Sequence, residues 1–216
     1  MQHQDLIYRK QYMQQLQGLK DQNIIKVISG VRRCGKSTLL MMFADELNRN
    51  GVQKEQIQFY NFEDLDTLAL GDIYQIHAHI KHLMVEDKPN YIFLDEIQNV
   101  KEFQRLVDSL YIKPNVDIYI YITGSNAYML SGELATLLTG CYVEINLLPL
   151  QFAEYNDFMH LKSPNLSSNE TLANFIHYGG VPEYVKQLQI GEKQADLFAD
   201  SILKTIVEKD IFQRLL

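Results

Sequence analysis

"VISGVRRCGKSTLL", residues Val27 to Leu40, decides how the chain reads. It starts as an apolar, β-branched run, turns at Gly30, and reaches Lys36 straight after a second glycine, Gly35. Gly30-Val31-Arg32-Arg33-Cys34-Gly35-Lys36-Ser37 fits the pattern GxxxxGK[ST], with a strand expected before it and a helix after it. Glycines let the backbone turn sharply and bring its amides against phosphate oxygens. The helix that follows points its positive N-terminus at the same anion. Within this cradle Lys36 would bridge the terminal phosphates and the Ser37 hydroxyl would ligate Mg2+, with Thr38 the next hydroxyl in line.

The flanking chain alternates strand and helix. "IIKVIS" (24–29) reads as a central strand and "KSTLLMMFADELNRN" as a helix that stops at Asn50-Gly51. "IQFYNF" (57–62), "YIFLDE" (91–96), "VDIYIYITGS" (116–125) and "CYVEINLLPL" (141–150) supply four more strands. Ile73, Ile76, Ile80 and Leu83 step by three and four, as do Phe103, Leu106, Val107 and Leu110; each set predicts one apolar helix face. Residues 4–20 predict a further helix at the N-terminus. The sum is an α/β fold with a mostly parallel sheet covered on both faces. The polar stretch 160–170, with Pro164 and its serines, marks the expected boundary. The expected division is a core over 1–162 and a helical lid, or the start of a further domain, over 163–216. The ending "KDIFQRLL", without a polar tail, suggests that this second domain is cut short.

"YIFLDEIQ" supplies a second half to the site. Four apolar residues lead into Asp95 and Glu96 at the carboxyl end of a strand, the edge where open α/β sheets bind ligands. Asp95 is placed to hold Mg2+ through water, and Glu96 to polarise an attacking water. A glutamate beside the metal aspartate favours water over a substrate hydroxyl as nucleophile, so hydrolysis ranks above small-molecule kinase activity. "YIYITGSN" brings Ser125 and Asn126, with Thr123 as a third candidate, to the same edge, where they would orient water or the γ-phosphate. Asn61, Glu63 and Asp64 end the second strand on that edge, as active-site neighbours or as a plain turn.

Composition sets limits. The 216 residues are 46% hydrophobic, enough for a sizeable core, and the formal net charge is -7. Proteins dominated by phosphate-backbone contacts usually carry a basic face, so direct nucleic-acid binding by this chain is not expected. No apolar run approaches the ~18 residues of a membrane span, and the polar N-terminus has no signal-peptide character. Cys34 and Cys141 have no metal-site spacing. Together these features predict a cytoplasmic protein with reduced thiols. His77, His79 and His82 read as polar helix surface rather than as a metal site. Cys34 lies beside a lysine at a helix N-terminus, which lowers a thiol pKa, so its oxidation could block binding.

"GVRRCGKSTLL", "YIFLDEIQNV", "YITGSN", "LLPLQFAEY" and "YGGVPEY" together resemble the additional-strand P-loop ATPases of the AAA+ and STAND-like group. More narrowly they resemble the bacterial and archaeal AAA-family ATPases that pair an ATPase core with a DUF4143 domain. The likeness covers nearly the whole chain, and the last two motifs are its most specific part. It implies a three-layer αβα P-loop NTPase core with a five-stranded parallel sheet in the order 5-1-4-3-2, followed by a helical lid. It also implies ATP as ligand. Gly180-Val181-Pro182 resembles the GxP element of STAND ATPases, which implies that Pro182 packs near the adenine; Ile7 or Arg9 would also line the base pocket. Relatives often carry arginine, a candidate finger, where this chain has Cys141; Arg32 or Arg33 would then have to serve.

Two functions compete at this stage. One is a Mg2+-dependent ATPase coupling hydrolysis to a conformational change. The other is a slow or non-hydrolysing nucleotide switch that presents a surface to an unknown protein partner or to itself. A DNA-associated ATPase, acting through a C-terminal part, is a third.

Overall fold

The computed structural model describes residues 6–112, 117–124, 141–163, 165–188 and 190–206. These gather into two compact units. One comprises residues 10–30 and 36–146; the other comprises the chain up to residue 9, residues 31–35 and the chain from 147 on.

The first unit is the α/β core. Helix α1 (Lys10–Gly18) leads to β1 (Ile25–Ser29), and α2 (Lys36–Arg49) follows the glycine loop. Next come β2 (Ile57–Asn61), a short α3 (Leu65–Leu68), α4 (Ile73–His82), β3 (Asn90–Asp95) and α5 (Phe103–Tyr111). β4 (Ile118–Thr123) and β5 (Tyr142–Asn146) complete it. The five strands are parallel and run in the order β2-β3-β4-β1-β5, the expected 5-1-4-3-2 read from the other edge.

Side-chain alternation builds the layers. Ile25 and Val27 of β1, Ile92 and Leu94 of β3, and Ile118, Ile120 and Ile122 of β4 share one apolar cluster with Ile73, Ile76 and Ile80 of α4 and the predicted face of α5; Leu83, expected on the same face, lies past the end of α4 and is exposed. The intervening residues look the other way. Phe93 and Tyr121 stack at 4.8 Å between ring centroids, and Phe43 of α2 packs against them at 6.4 and 5.4 Å. By the same parity Asp95 and Thr123, two residues beyond Phe93 and Tyr121, fall on the α2 face. Strand parity alone therefore turns a carboxylate and a hydroxyl toward the helix that begins with Lys36 and Ser37.

At the amino end of the sheet the chain buries a lysine. Lys26 is wholly buried, donates to the Gln22 carbonyl at 2.6 Å, and lies 5.3 and 5.1 Å from the ring centroids of Tyr119 and Tyr121. Burial pulls its ammonium down to about 8, only partly opposed by Asp21. Between about pH 8 and its ordinary value of 10.5 the unfolded chain binds more protons at this site than the folded one, so stability rises with pH through that window. Below it the buried charge is a cost. Lys26→Met is therefore expected to be more stable than the parent at pH 7 by about 1–3 kcal/mol, with the gap narrowing toward pH 9.5. Urea midpoints at the two pH values measure it.

The second unit is helical: α6 (Phe152–Lys162), α7 (Ser168–Tyr178), α8 (Pro182–Leu188) and α9 (Glu192–Ile206). Ser167 caps α7, accepting from Glu170 N, and Glu170 returns the bond to Ser167 N. Leu150, Tyr155, Phe158, Met159 and Val185 form the apolar cluster of this unit, with Ile7 packed on it.

Two element boundaries differ from the sequence reading, and each has a cause. The N-terminal helix starts at Lys10 rather than near residue 4, because Ile7 packs on the helical unit and Arg9 is held there by Glu154 at 2.7 Å and the Leu148 carbonyl at 3.0 Å. β5 stops at Asn146 rather than 150, because Leu150 N donates to Gly180 O at 2.7 Å. β4 spans Ile118–Thr123 within the wider stretch expected.

That Leu150–Gly180 bond joins the two most specific motifs, "PLQFAEY" and "GGVPEY". A Cβ at Gly180 would collide with the Leu150 carbonyl oxygen, a backbone atom that cannot swing away. Gly180→Ala is expected to destabilise the helical unit by about 1–3 kcal/mol, seen as a lower denaturant midpoint.

Candidate nucleotide site

The site begins with the loop between β1 and α2. Gly30 (φ 146°), Arg33 (φ 66°) and Gly35 (φ 97°) all take positive φ, which lets the chain reverse within six residues. Lys36 opens α2, is only 4% exposed, and donates to the Gly30 carbonyl at 3.2 Å. Its Nζ lies 3.6 Å from Glu96 Oε1. Val31 is exposed, Arg32 half-buried, and Cys34 wholly buried, so an oxidant has no direct access to this thiol.

The carboxyl end of β3 supplies the acids. Asp95 is buried and accepts a hydrogen bond from Thr123 Oγ1 at 2.5 Å; the Ser37 hydroxyl bonds to it as well. Burial pushes its carboxyl above the usual range, against the pull of those two hydroxyls, while the charge of Glu96 pushes the same way and Lys36 opposes. Thr123 Oγ1 also accepts from the backbone amide of Glu96 at 2.9 Å. One hydroxyl thus fixes both acids. Glu96 takes a left-handed conformation (φ 51°), which turns the chain out of the strand, and its Oε2 accepts from Gln98 Nε2 at 2.5 Å.

Lys36, Ser37, Asp95 and Glu96, all singled out from the sequence, are therefore brought together by direct contacts. Thr38 follows in the first turn of α2, half-buried. Ser125 and Asn126 lie outside the described residues. Thr123, ranked behind them, contacts Asp95 and the Glu96 amide. Gln98 was missed; the short spacing in "DEIQ" was its only signal.

Pro182 opens α8, and a Cβ on Gly35 would stand 3.8 Å from its ring. The Arg33 guanidinium lies 4.7 Å above the ring centroid of Phe198 in α9. Arg9 is engaged by Glu154, and Ile7 lies in the apolar cluster. Asn61 accepts from Glu63 N and Asp64 caps α3, so those residues make a turn. His77 meets the Ser109 hydroxyl at 3.2 Å and His79 rests edge-on against Tyr60.

Cys141 precedes β5, and its carbonyl accepts from Ile25 N at 2.9 Å, where β1 begins. The phosphate-loop motif follows the other end of β1, about 15 Å away at the rise of a parallel strand. A side chain at 141 is thus at the far edge of the sheet from this chain's own loop. The Cys141 thiol hydrogen-bonds Tyr111.

A glycine loop after β1, with an acid pair at the end of β3, one strand removed across β4 in a 5-1-4-3-2 parallel sheet, defines a P-loop NTPase fold. A family model for the AAA domain matches residues 22–156, and the chain belongs to that AAA-like family of P-loop ATPases. It is 40% identical over 210 residues to an uncharacterized protein of Haemophilus influenzae, covering 97% of this chain and 51% of that one. An uncharacterized protein of Methanocaldococcus jannaschii is 33% identical over 170 residues, covering 74% and 36%. The chain thus spans about half the length of the first relative and about a third of the second. Among solved structures, a Walker-type ATPase of Pyrococcus abyssi matches with TM-score 0.62 and 14% identity over 98% of this chain and 76% of that one. A STAND protein with a tetratricopeptide repeat sensor from Pyrococcus horikoshii matches with TM-score 0.50 and 14% identity, over 85% and 30%. The structural likenesses speak to the fold; the family supports a nucleotide-binding, ATPase-type function. No described helix is long and apolar enough to cross a membrane.

Proposed function

We propose that the chain binds ATP with Mg2+ and hydrolyses it, coupling turnover to a conformational change. The observation behind this reading is the convergence of Lys36, Ser37, Asp95 and Glu96 beside the glycine loop. The loop amides from Val31 to Lys36 receive phosphate oxygens, and Lys36 neutralises the terminal phosphates.

The residues fit Mg2+. Asp95 is a hard-oxygen donor whose anionic form burial disfavours, which a cation would offset, and the Ser37 hydroxyl already lies against it. Ser37 and Asp95 would hold the ion, which when bound adds positive charge at the phosphate oxygens. Glu96 accepts the proton of the attacking water. Thr123 holds Asp95 and the Glu96 backbone in place, and Gln98 restrains the Glu96 carboxylate. Ser125 and Asn126 remain proposed contributors at the end of β4. Pro182, against the loop at Gly35, is proposed to pack near the adenine.

Cys34 and Cys141, neither of them in a disulfide, support a reducing, cytoplasmic setting. Exposed Leu161, Ile176 and Leu197 in the helical unit support a protein partner or self-association. Phosphate release from ATP with no added acceptor, measured with and without Mg2+, tests the reading. Binding without release would leave a nucleotide switch.

A further inference from the structure

The phosphate loop contains a conformational cost. Arg33 sits at φ 66°, in the left-handed region that non-glycine residues seldom occupy, while the other two positive-φ positions of the loop are glycines. Left-handed residues are what let successive backbone N–H groups converge on one anion. Something must hold Arg33 there. Its guanidinium carbon lies over Phe198 of α9, 4.7 Å from the ring centroid, within the range of a cation–π contact. Pro182 of α8 lies against the same loop two residues on, at Gly35. Loop residues 31–35 also cluster with the helical unit rather than with the sheet that flanks them in sequence.

We propose that Phe198 is a positioning residue for the nucleotide site: by holding Arg33 it keeps the phosphate loop in its anion-binding shape. The inference rests on the ATP-binding reading for its functional consequence, though not for its effect on the loop itself. It makes α9 energetically linked to nucleotide. Whatever holds α9 in place tightens ATP binding, and ATP, by reciprocity, holds α9.

The test has a nucleotide-free arm and a nucleotide arm. In the first, hydrogen exchange at the amides of residues 31–35 is compared in the parent chain and Phe198→Ala without nucleotide. Faster exchange is expected in the variant. Unchanged exchange overturns the proposal. In the second arm, affinity for a slowly hydrolysed ATP analogue is measured. Phe198→Ala is expected to weaken it about two- to five-fold, the size of an exposed cation–π contact. Phe198→Tyr should restore it, and Phe198→Leu, which keeps apolar bulk without a ring, should not. In an Arg33→Gly background the loop takes its left-handed turn without help, so adding Phe198→Ala should have no further effect. An equal loss in that background, or full rescue by leucine, would show a general packing role and overturn the inference. If the parent chain binds no nucleotide while the exchange difference stands, the ATP reading fails and the loop-ordering role survives.

Discussion

Replacing Lys36 by alanine is expected to weaken nucleotide binding by at least about 30-fold. The side chain is 4% exposed at the mouth of the loop, so its ammonium meets phosphate in a poorly hydrated setting. Truncating one partner of a buried, hydrogen-bonded charge pair costs about 2–5 kcal/mol, or roughly 30- to several-thousand-fold. Glu96, 3.6 Å away and itself buried, would lose its nearest positive charge as well. Lys36→Met, which keeps the apolar stem, should bind as poorly as alanine, because the missing element is charge rather than packing. Titration calorimetry with ATP and Mg2+ reads this directly, with circular dichroism to confirm the fold. Near-native affinity in either variant would remove Lys36 from the site.

Glu96→Gln should separate binding from chemistry. Glutamine has the same shape and can still hydrogen-bond Gln98, so the turn after β3 should persist. The amide cannot take a proton from water. Phosphate release should fall by about 100- to 10,000-fold, the usual contribution of a positioned base, while ATP affinity is kept or improved. Improvement has an electrostatic basis, since a negative charge that repels Asp95, and would repel a triphosphate, is removed. Undiminished release in this variant would assign the base elsewhere.

Much of the fold was legible because the local signals agreed with one another. The apolar strand runs, the three-and-four spacing of Ile73, Ile76 and Ile80, and the strand-loop-helix setting of Gly30 to Ser37 all pointed one way. Lys36, Ser37, Asp95 and Glu96 were legible because their spacing from the ends of strands fixes their positions. The role of Thr123 was harder to see, since it depends on register between β3 and β4 and on which face each residue takes. Arg9, Leu150 and Gly180 were harder still. Their contacts cross up to 145 residues of sequence, as in Arg9 to Glu154, and no local pattern reports such pairs. Cys141 was legible as a departure from relatives, but its position was not, since that depends on the pairing of β5 with the start of β1.

The grouping of residues 31–35 with the later helices has a consequence for the order of events on the ribosome. Gly30 to Lys36 is made early, but Pro182 and Phe198, which meet this loop, are translated about 150 residues later, or roughly 10–30 s at ordinary elongation rates. The sheet can assemble while the loop still lacks these neighbours. A nascent chain is thus expected to hold its phosphate-binding segment in an unfinished form until synthesis has passed α9, delaying full capture of nucleotide until the helical unit exists.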